Sequence, residues 1–198
     1  MTEENKDLYL LWPTPLWFDK APLDVTDTIK EGLLEIIKSP DFPKLEYERS
    51  NRGGYQSDIL EIDKFHPRGR KVVEEILYKI SSKYLKSKKP VVESRWVNVN
   101  KKGDWNLIHT HPNCDLSLVW YLTDGDICFD NPNSHNRLEV GDCSVWESKN
   151  KKGDVVVFPA DLKHFVNPNQ KDEDRMSLAF NINLKSGNLI RASYKLFK

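Results

Sequence analysis

The chain has no surplus of charge of either sign, since thirty Lys and Arg stand against thirty Asp and Glu over 198 residues. No net field therefore draws the whole protein to nucleic acid or to an anionic membrane, and partners must be read from local sites. Long hydrophobic runs are missing too. Stretches such as VVVF (155–158) fall far short of the ~20 apolar residues that cross a bilayer, so no membrane partner is expected. The amino-terminal MTEENKDLYLLW is acidic, with no cationic flank ahead of a signal-peptide core, which points to a cytoplasmic protein. Cysteine is scarce: Cys114, Cys128 and Cys143 are odd in number and form no CxxC pair. That suits packing thiols in a reducing compartment better than a disulfide framework. There is also no internal repeat and no low-complexity segment.

What is present divides near Pro90. In VTDTIKEGLLEIIKS (25–39) the apolar Val25, Ile29, Leu33, Ile36 and Ile37 recur at three- and four-residue steps, with Thr26 or Asp27 as the expected cap. A second amphipathic helix is predicted from about Arg70 to Tyr84, with Val72, Val73, Ile76, Leu77 and Ile80 on one stripe. Between them SNRGGYQSDIL is rich in turn formers around Gly53 and Gly54. After Pro90 the period becomes two. SRWVNVN, LSLVWYL, DICF, DVVVF and RMSLAFNIN are short strands separated by Gly, Asn, Asp and Pro, the pattern of an antiparallel sandwich or barrel. Residues 130–154 read as a long excursion between strands. Their KNKKG, like KSKKP (86–90), reads as solvated loop rather than as a nucleic-acid contact. One domain over 1–198 accommodates all of this: a mostly helical support region (1–90), a β core (91–185) and a tail (186–198).

Successive strand residues point to opposite faces. In LSLVWYL the even positions Leu116, Leu118, Trp120 and Leu122 are apolar, and the odd ones are Ser117, Val119 and Tyr121. RMSLAFNIN splits into an apolar set, Met176, Leu178, Phe180 and Ile182, and the set Arg175, Ser177, Ala179 and Asn181. An arginine inside a barrel is costly unless paired, so each strand alone reads as half-solvated. Tyr121 and Val119 are poor choices for a solvent face, however, and His109 and His111 share the odd parity if the strand runs regularly through them. The two strands then have one face packed on the helices and another lining a polar pocket.

Two histidines at i and i+2 on a strand project the same way and can reach one ion. HxH alone is weak evidence, and ordinary strand histidines are the alternative. GDVVVFPADLKHFVNPN adds a turn glycine, a β-branched strand, a bend and His164, a third candidate ligand from a neighbouring strand. Arg175 follows, with a guanidinium suited to gripping a carboxylate in a fork.

Together with WPTPLW (12–17), SNRGGYQS (50–57), WVNVNKKGDWNLIHTHPNCDLSLVWYL (96–122), VVVFPADLKHFVNPN (155–169) and RMSLAFNIN (175–183), these residues make the chain resemble the Fe(II)- and 2-oxoglutarate-dependent oxygenases. The resemblance implies a mainly β fold, a double-stranded β-helix or jelly roll buttressed by amino-terminal α-helices. It also implies Fe(II), 2-oxoglutarate as small-molecule co-substrate, O2, and oxidation of a C–H bond of an unknown substrate. By position it implies His109, His111 and His164 as ligands. Arg175 is implied as partner of the distal 2-oxoglutarate carboxylate, with Ser177 and Tyr121 beside it. His111 stands where the family's common triad has a carboxylate. Asp115 is the alternative ligand, but His111 has the family position. Jelly-roll oxygenases often pair, so a homodimer is compatible.

The same stretch also resembles the cupins, which share the jelly roll, need no 2-oxoglutarate and would use His109, His111, Asp115 and His164. Arg175 on the polar face and the helical first half favour the oxygenase. A non-catalytic binding jelly roll would take no metal. Asn98 and Asn100 alternate with Val97 and Val99 on the preceding strand and could bond the co-substrate or substrate. Tyr55 and Gln56 are candidates near the pocket mouth, and His66 and His135 read as surface residues.

Overall fold

The computed structural model describes residues 14–38, 49–57, 60, 66–85, 88–132 and 144–186. The elements within them are β1 (Trp17–Lys20), α1 (Leu23–Ile37), β2 (Asn51–Arg52), β3 (Tyr55–Gln56), α2 (Pro67–Tyr84), β4 (Lys88–Asn100), β5 (Trp105–His109), β6 (Leu116–Tyr121), β7 (Gly125–Asp130), β8 (Val145–Asn150), β9 (Asp154–Pro159), β10 (His164–Val166) and β11 (Arg175–Ser186). Six strands form an antiparallel sheet in the order β1-β9-β6-β11-β4-β3, and five form a second in the order β2-β5-β10-β7-β8. From β4 onward the chain passes to and fro between the sheets, the winding of a double-stranded β-helix.

Side-chain parity decides what each face does. Leu116, Leu118, Trp120 and Leu122 join Met176, Leu178, Phe180 and Ile182 in a cluster with Val25, Ile29 and Leu33 of α1 and Val73, Ile76, Leu77 and Ile80 of α2. Each fully buried large apolar side chain there contributes roughly 1.5–3 kcal/mol. A smaller cluster of Tyr121, Ile127, Phe129, Val156, Phe158 and Leu162 lies between the sheets. The helices thus brace the outer face of the larger sheet and leave its inner face for the site.

Several local expectations change. The α1 cap is neither Thr26 nor Asp27: Pro22 occupies the N-cap position and no side chain caps the helix. Thr26 lies inside the helix, where its hydroxyl donates to the Pro22 carbonyl (2.9 Å) and accepts the Trp120 indole N–H (3.2 Å). Satisfying that buried indole fixes Thr26 against the sheet, while Asp27 pairs with Lys152 (2.9 Å). α2 starts at Pro67, earlier than Arg70, because proline suits the first helical position.

The stretch 109–122 is not one strand. β5 ends at His109, the chain crosses between sheets, and Asn113 takes a left-handed φ of 67°. The lysine-rich 88–90 is strand rather than loop, with Pro90 opposite Leu184. Among the described residues no strand pairs with the other side of β4 there, so its missing N–H costs nothing. The excursion is narrower than expected, since Val145–Asn150 pairs with β7 from Gly125↔Asn150 to Asp130↔Val145. Residues 133–143, with His135 and Cys143, and the tail 187–198 lie outside the described residues. Cys114 and Cys128 are free; burial pushes both thiols up, that of Cys128 to about 11. No described helix is long and apolar enough to cross a membrane.

Candidate active site

Register across the larger sheet arranges its inner face in rows. Arg175 lies opposite Asn100; next come Gln56, Asn98, Ser177 and Tyr121, then Trp96, Ala179 and Val119, then Ser94, Asn181 and Ser117. This face and β5 and β10 of the smaller sheet enclose a cavity of about 490 Å³. A polar row and an apolar row therefore run past whatever occupies it, and of the next row Asn181 also lines it.

The smaller sheet brings the histidines to the cavity. His109 ends β5, His164 begins β10, and the two are direct cross-strand partners with ring centroids 4.3 Å apart. His111 is in the crossing segment, which backbone bonds secure: its N–H donates to Ala160 O (2.8 Å), and Ala160 N–H donates to Asp115 O (3.0 Å). The ligand-sized donor atoms of all three histidines lie within 4.8 Å of one another. Nδ1–H of His109 donates to Leu107 O (2.7 Å) and that of His164 to Leu162 O (2.8 Å). A carbonyl accepts only from a protonated nitrogen, so in the neutral rings each Nε2 keeps its lone pair.

His111 Nε2 and His164 Nε2 are 3.1 Å apart. Two lone pairs cannot face each other at that range without a shared proton or cation. The separation is close to the ~3.0 Å edge between two adjacent nitrogens each ~2.1 Å from one metal. Burial favours the neutral rings: it lowers His109 against the raising effect of the Leu107 carbonyl, and burial first, then the neighbouring imidazoles, lower His111 to about 4 and His164 to about 3. Neutral imidazoles with aligned lone pairs are the form that ligates metal, so the donor set fits a divalent ion.

Arg175 is 7% exposed and forms an ion pair with Asp126, Nη1 to Oδ1 at 2.7 Å. Its Nη2 donates to Asn167 O (2.8 Å), and the Asn167 N–H reaches Asp126 Oδ2 (3.3 Å). Tyr121 is fully buried beside this pair, and burial, then the Asp126 charge, push its phenol far up, so it stays protonated. Gly125 makes room: a Cβ there would stand 3.0 Å from the Tyr121 ring and 3.1 Å from Arg175 Cδ.

The other expected residues divide. Ser177, Asn98, Asn100 and Gln56 line the cavity with Arg175, Tyr121 and the histidines. Asn100 donates to Asn106 Oδ1 (3.1 Å), whereas Asn98 Oδ1 and Gln56 Oε1 are buried without a hydrogen-bond partner among the described residues. Tyr55 faces the other way, against the helical core, where burial raises its phenol to about 12. Asp115 is not in the histidine cluster: it is exposed, and its carboxylate accepts the Leu184 N–H (2.7 Å). His66 is at the N-cap of α2, away from the cavity lining.

Two residues that line the cavity, Trp96 and Asp126, and Asn167 behind them had no sequence reading. Trp96 packs on the His111 ring at 5.6 Å between centroids. Asp126 and Asn167 hold Arg175. An acidic residue inside the apolar GDICF was the available signal for Asp126, but its partner lies 49 positions away.

Residues 94–181 match the family described as "Putative 2OG-Fe(II) oxygenase". No curated relative matches the chain. Solved structures of similar fold include AviO1 from Streptomyces viridochromogenes Tue57 (17% identity, 86% of this chain and 90% of that one, TM-score 0.60). A Pseudomonas putida prolyl-4-hydroxylase is similar at 14% identity, over 88% and 94% of the two chains, with a TM-score of 0.59. HygX from Streptomyces hygroscopicus, solved with nickel, 2-oxoglutarate and hygromycin B bound, is similar at 10% identity over 86% and 83%, TM-score 0.62.

Proposed function

We propose that this chain is a 2OG-Fe(II) oxygenase, the family that its residues 94–181 match, that His109, His111 and His164 hold the iron, and that Arg175, Tyr121 and Ser177 hold the distal carboxylate of 2-oxoglutarate. The observation that carries this reading is the meeting of three imidazoles at one end of a cavity whose other end presents a buried guanidinium. Iron(II) there supplies activation of O2, coupled to conversion of 2-oxoglutarate into succinate and carbon dioxide and to oxidation of a substrate C–H bond.

The chain's own contribution is binding and orientation. Leu107 and Leu162 carbonyls fix the tautomers and ring planes of His109 and His164. Trp96 restrains His111, which has no strand around it. At the far end, Tyr121 stays a hydrogen-bond donor because burial keeps it protonated, and Arg175 offers the remaining N–H groups of its fork. Before residue 90, α1 and α2 serve as support, whereas Gln56 lines the cavity, and the free cysteines suit a cytoplasmic setting.

Ligand-linked melting tests the reading. Mn(II), standing in for Fe(II) without turnover, raises the melting temperature, and 2-oxoglutarate raises it further. At a hundredfold excess over Kd each step is worth ~2.7 kcal/mol, or about 5–10 °C for a chain of this size. His164→Ala abolishes the metal step. A wild-type protein that no divalent metal stabilises would refute the assignment.

A further inference from the structure

The three-histidine centre differs from the two-histidine, one-carboxylate triad common at non-haem iron in one respect that can be counted: it brings no negative charge to the metal. The cavity nevertheless contains a carboxylate, at its other end. Asp126 Oδ1 is 2.7 Å from Arg175 Nη1, with side-chain exposures of 18% and 7%. Asn167 clamps the pair, accepting from Arg175 Nη2 at 2.8 Å and donating to Asp126 Oδ2 at 3.3 Å. A divalent ion, Arg175 and Asp126 together carry two positive charges, the same total as a carboxylate-ligated ion facing an unpaired arginine. That total matches a dianionic 2-oxo acid in both cases, but the distribution is reversed. The metal end is more cationic, and the guanidinium end is already neutralised.

We propose that Asp126 is a specificity-determining residue that holds down the contribution of the distal carboxylate to co-substrate binding, so that recognition of the 2-oxo acid rests mainly on the metal end. The inference rests on the assignment of Arg175 made above. A carboxylate arriving at Arg175 finds free N–H donors, since the guanidinium has five and its bonds among the described residues, to Asp126, to Asn167 O and, at 3.5 Å, to Asp104 O, use three. It also meets the Asp126 charge across the width of one guanidinium. Removing that like charge at an effective dielectric near 20 strengthens the bound carboxylate by roughly tenfold once salt screening is allowed for.

The test uses the full chain loaded with Mn(II), titrated with 2-oxoglutarate and separately with pyruvate, which has the 2-oxo acid head but no distal carboxylate. Asp126→Asn keeps an oxygen acceptor for Arg175 and removes the charge. It is expected to bind 2-oxoglutarate about tenfold more tightly and pyruvate unchanged. Asp126→Ser is the second neutral variant, with the same expectation, should the first fold poorly. Unchanged or weaker 2-oxoglutarate binding overturns the inference. So does an equal change for both ligands, which would mark Asp126 as structural support only. A wild-type protein that takes up Mn(II) but neither 2-oxo acid overturns the Arg175 assignment itself, an outcome read before any variant is made.

Discussion

Replacing Arg175 by Met removes one partner of a buried ion pair and keeps most of the apolar stem. The Asp126 carboxylate, 18% exposed, is then left with the Asn167 N–H at 3.3 Å as its remaining hydrogen bond among the described residues. Breaking such a pair from one side costs about 3–5 kcal/mol, because the surviving charge stays desolvated. For a chain of this length each kcal/mol moves the melting temperature by about 2–4 °C, so the variant should melt roughly 6–20 °C below wild type. Removing both charges is a different perturbation. In Arg175→Met/Asp126→Asn no buried ion remains, and the double variant should recover at least ~2 kcal/mol of the loss. Urea denaturation of metal-free protein reads both quantities without any ligand. An Arg175→Met variant within ~1 kcal/mol of wild type, or a double variant no more stable than the single one, would refute the reasoning that the pair is a desolvated charge couple. Loss of 2-oxoglutarate binding by Arg175→Met is therefore to be judged below its own melting temperature.

The metal-free protein should also lose stability as the pH falls from about 7 toward 4. Burial lowers the histidines below the ordinary value near 6.5, to about 4 for His111 and about 3 for His164. The unfolded chain therefore binds protons first, and the stabilisation, complete above about 6.5, is lost across that window; a melting temperature flat between pH 7.5 and 5 would contradict this. Gly54→Ala should destabilise by more than ~1 kcal/mol. Gly54 has φ +66°, and a Cβ would stand 2.6 Å from Val99 O. Because that turn sets the register of Gln56 against Asn98, denaturation midpoints that match wild type would count against it.

How much of this was legible in the sequence follows from the range of each interaction. The inner and outer faces of β6 and β11 were readable, because side-chain alternation is a strictly local property and burial of Trp120 or Phe180 leaves no other register open. The three histidines were readable only as a set. His111 is off the strand end, and its place in the cluster depends on the tie to Ala160, 49 residues on. The crossing at 110–115 was missed because an apolar run hid the change of sheet, although Pro112 and the left-handed Asn113 mark it. The α1 cap was misread for a related reason. A threonine near a helix start is a capping residue only if its hydroxyl is free, and here the Trp120 indole, 94 positions away, claims it.

Asp126 was the hardest to see, and under the proposed assignment it alters the chemistry most. A motif records which residues sit around a metal, and by that record His111 in place of a carboxylate is a defect in the centre. Charge, however, acts over the whole cavity, because low-dielectric walls let a carboxylate at Arg175 and one at the metal both be felt by a dianion that spans them. Counted over that volume, the negative charge has moved rather than vanished. The two arrangements attract the same dianion, but they apportion its binding differently between head and tail. A site built in this way should tolerate 2-oxo acids with shorter or uncharged tails better than one with an unpaired arginine, and the ratio of 2-oxoglutarate to pyruvate affinity measures that directly.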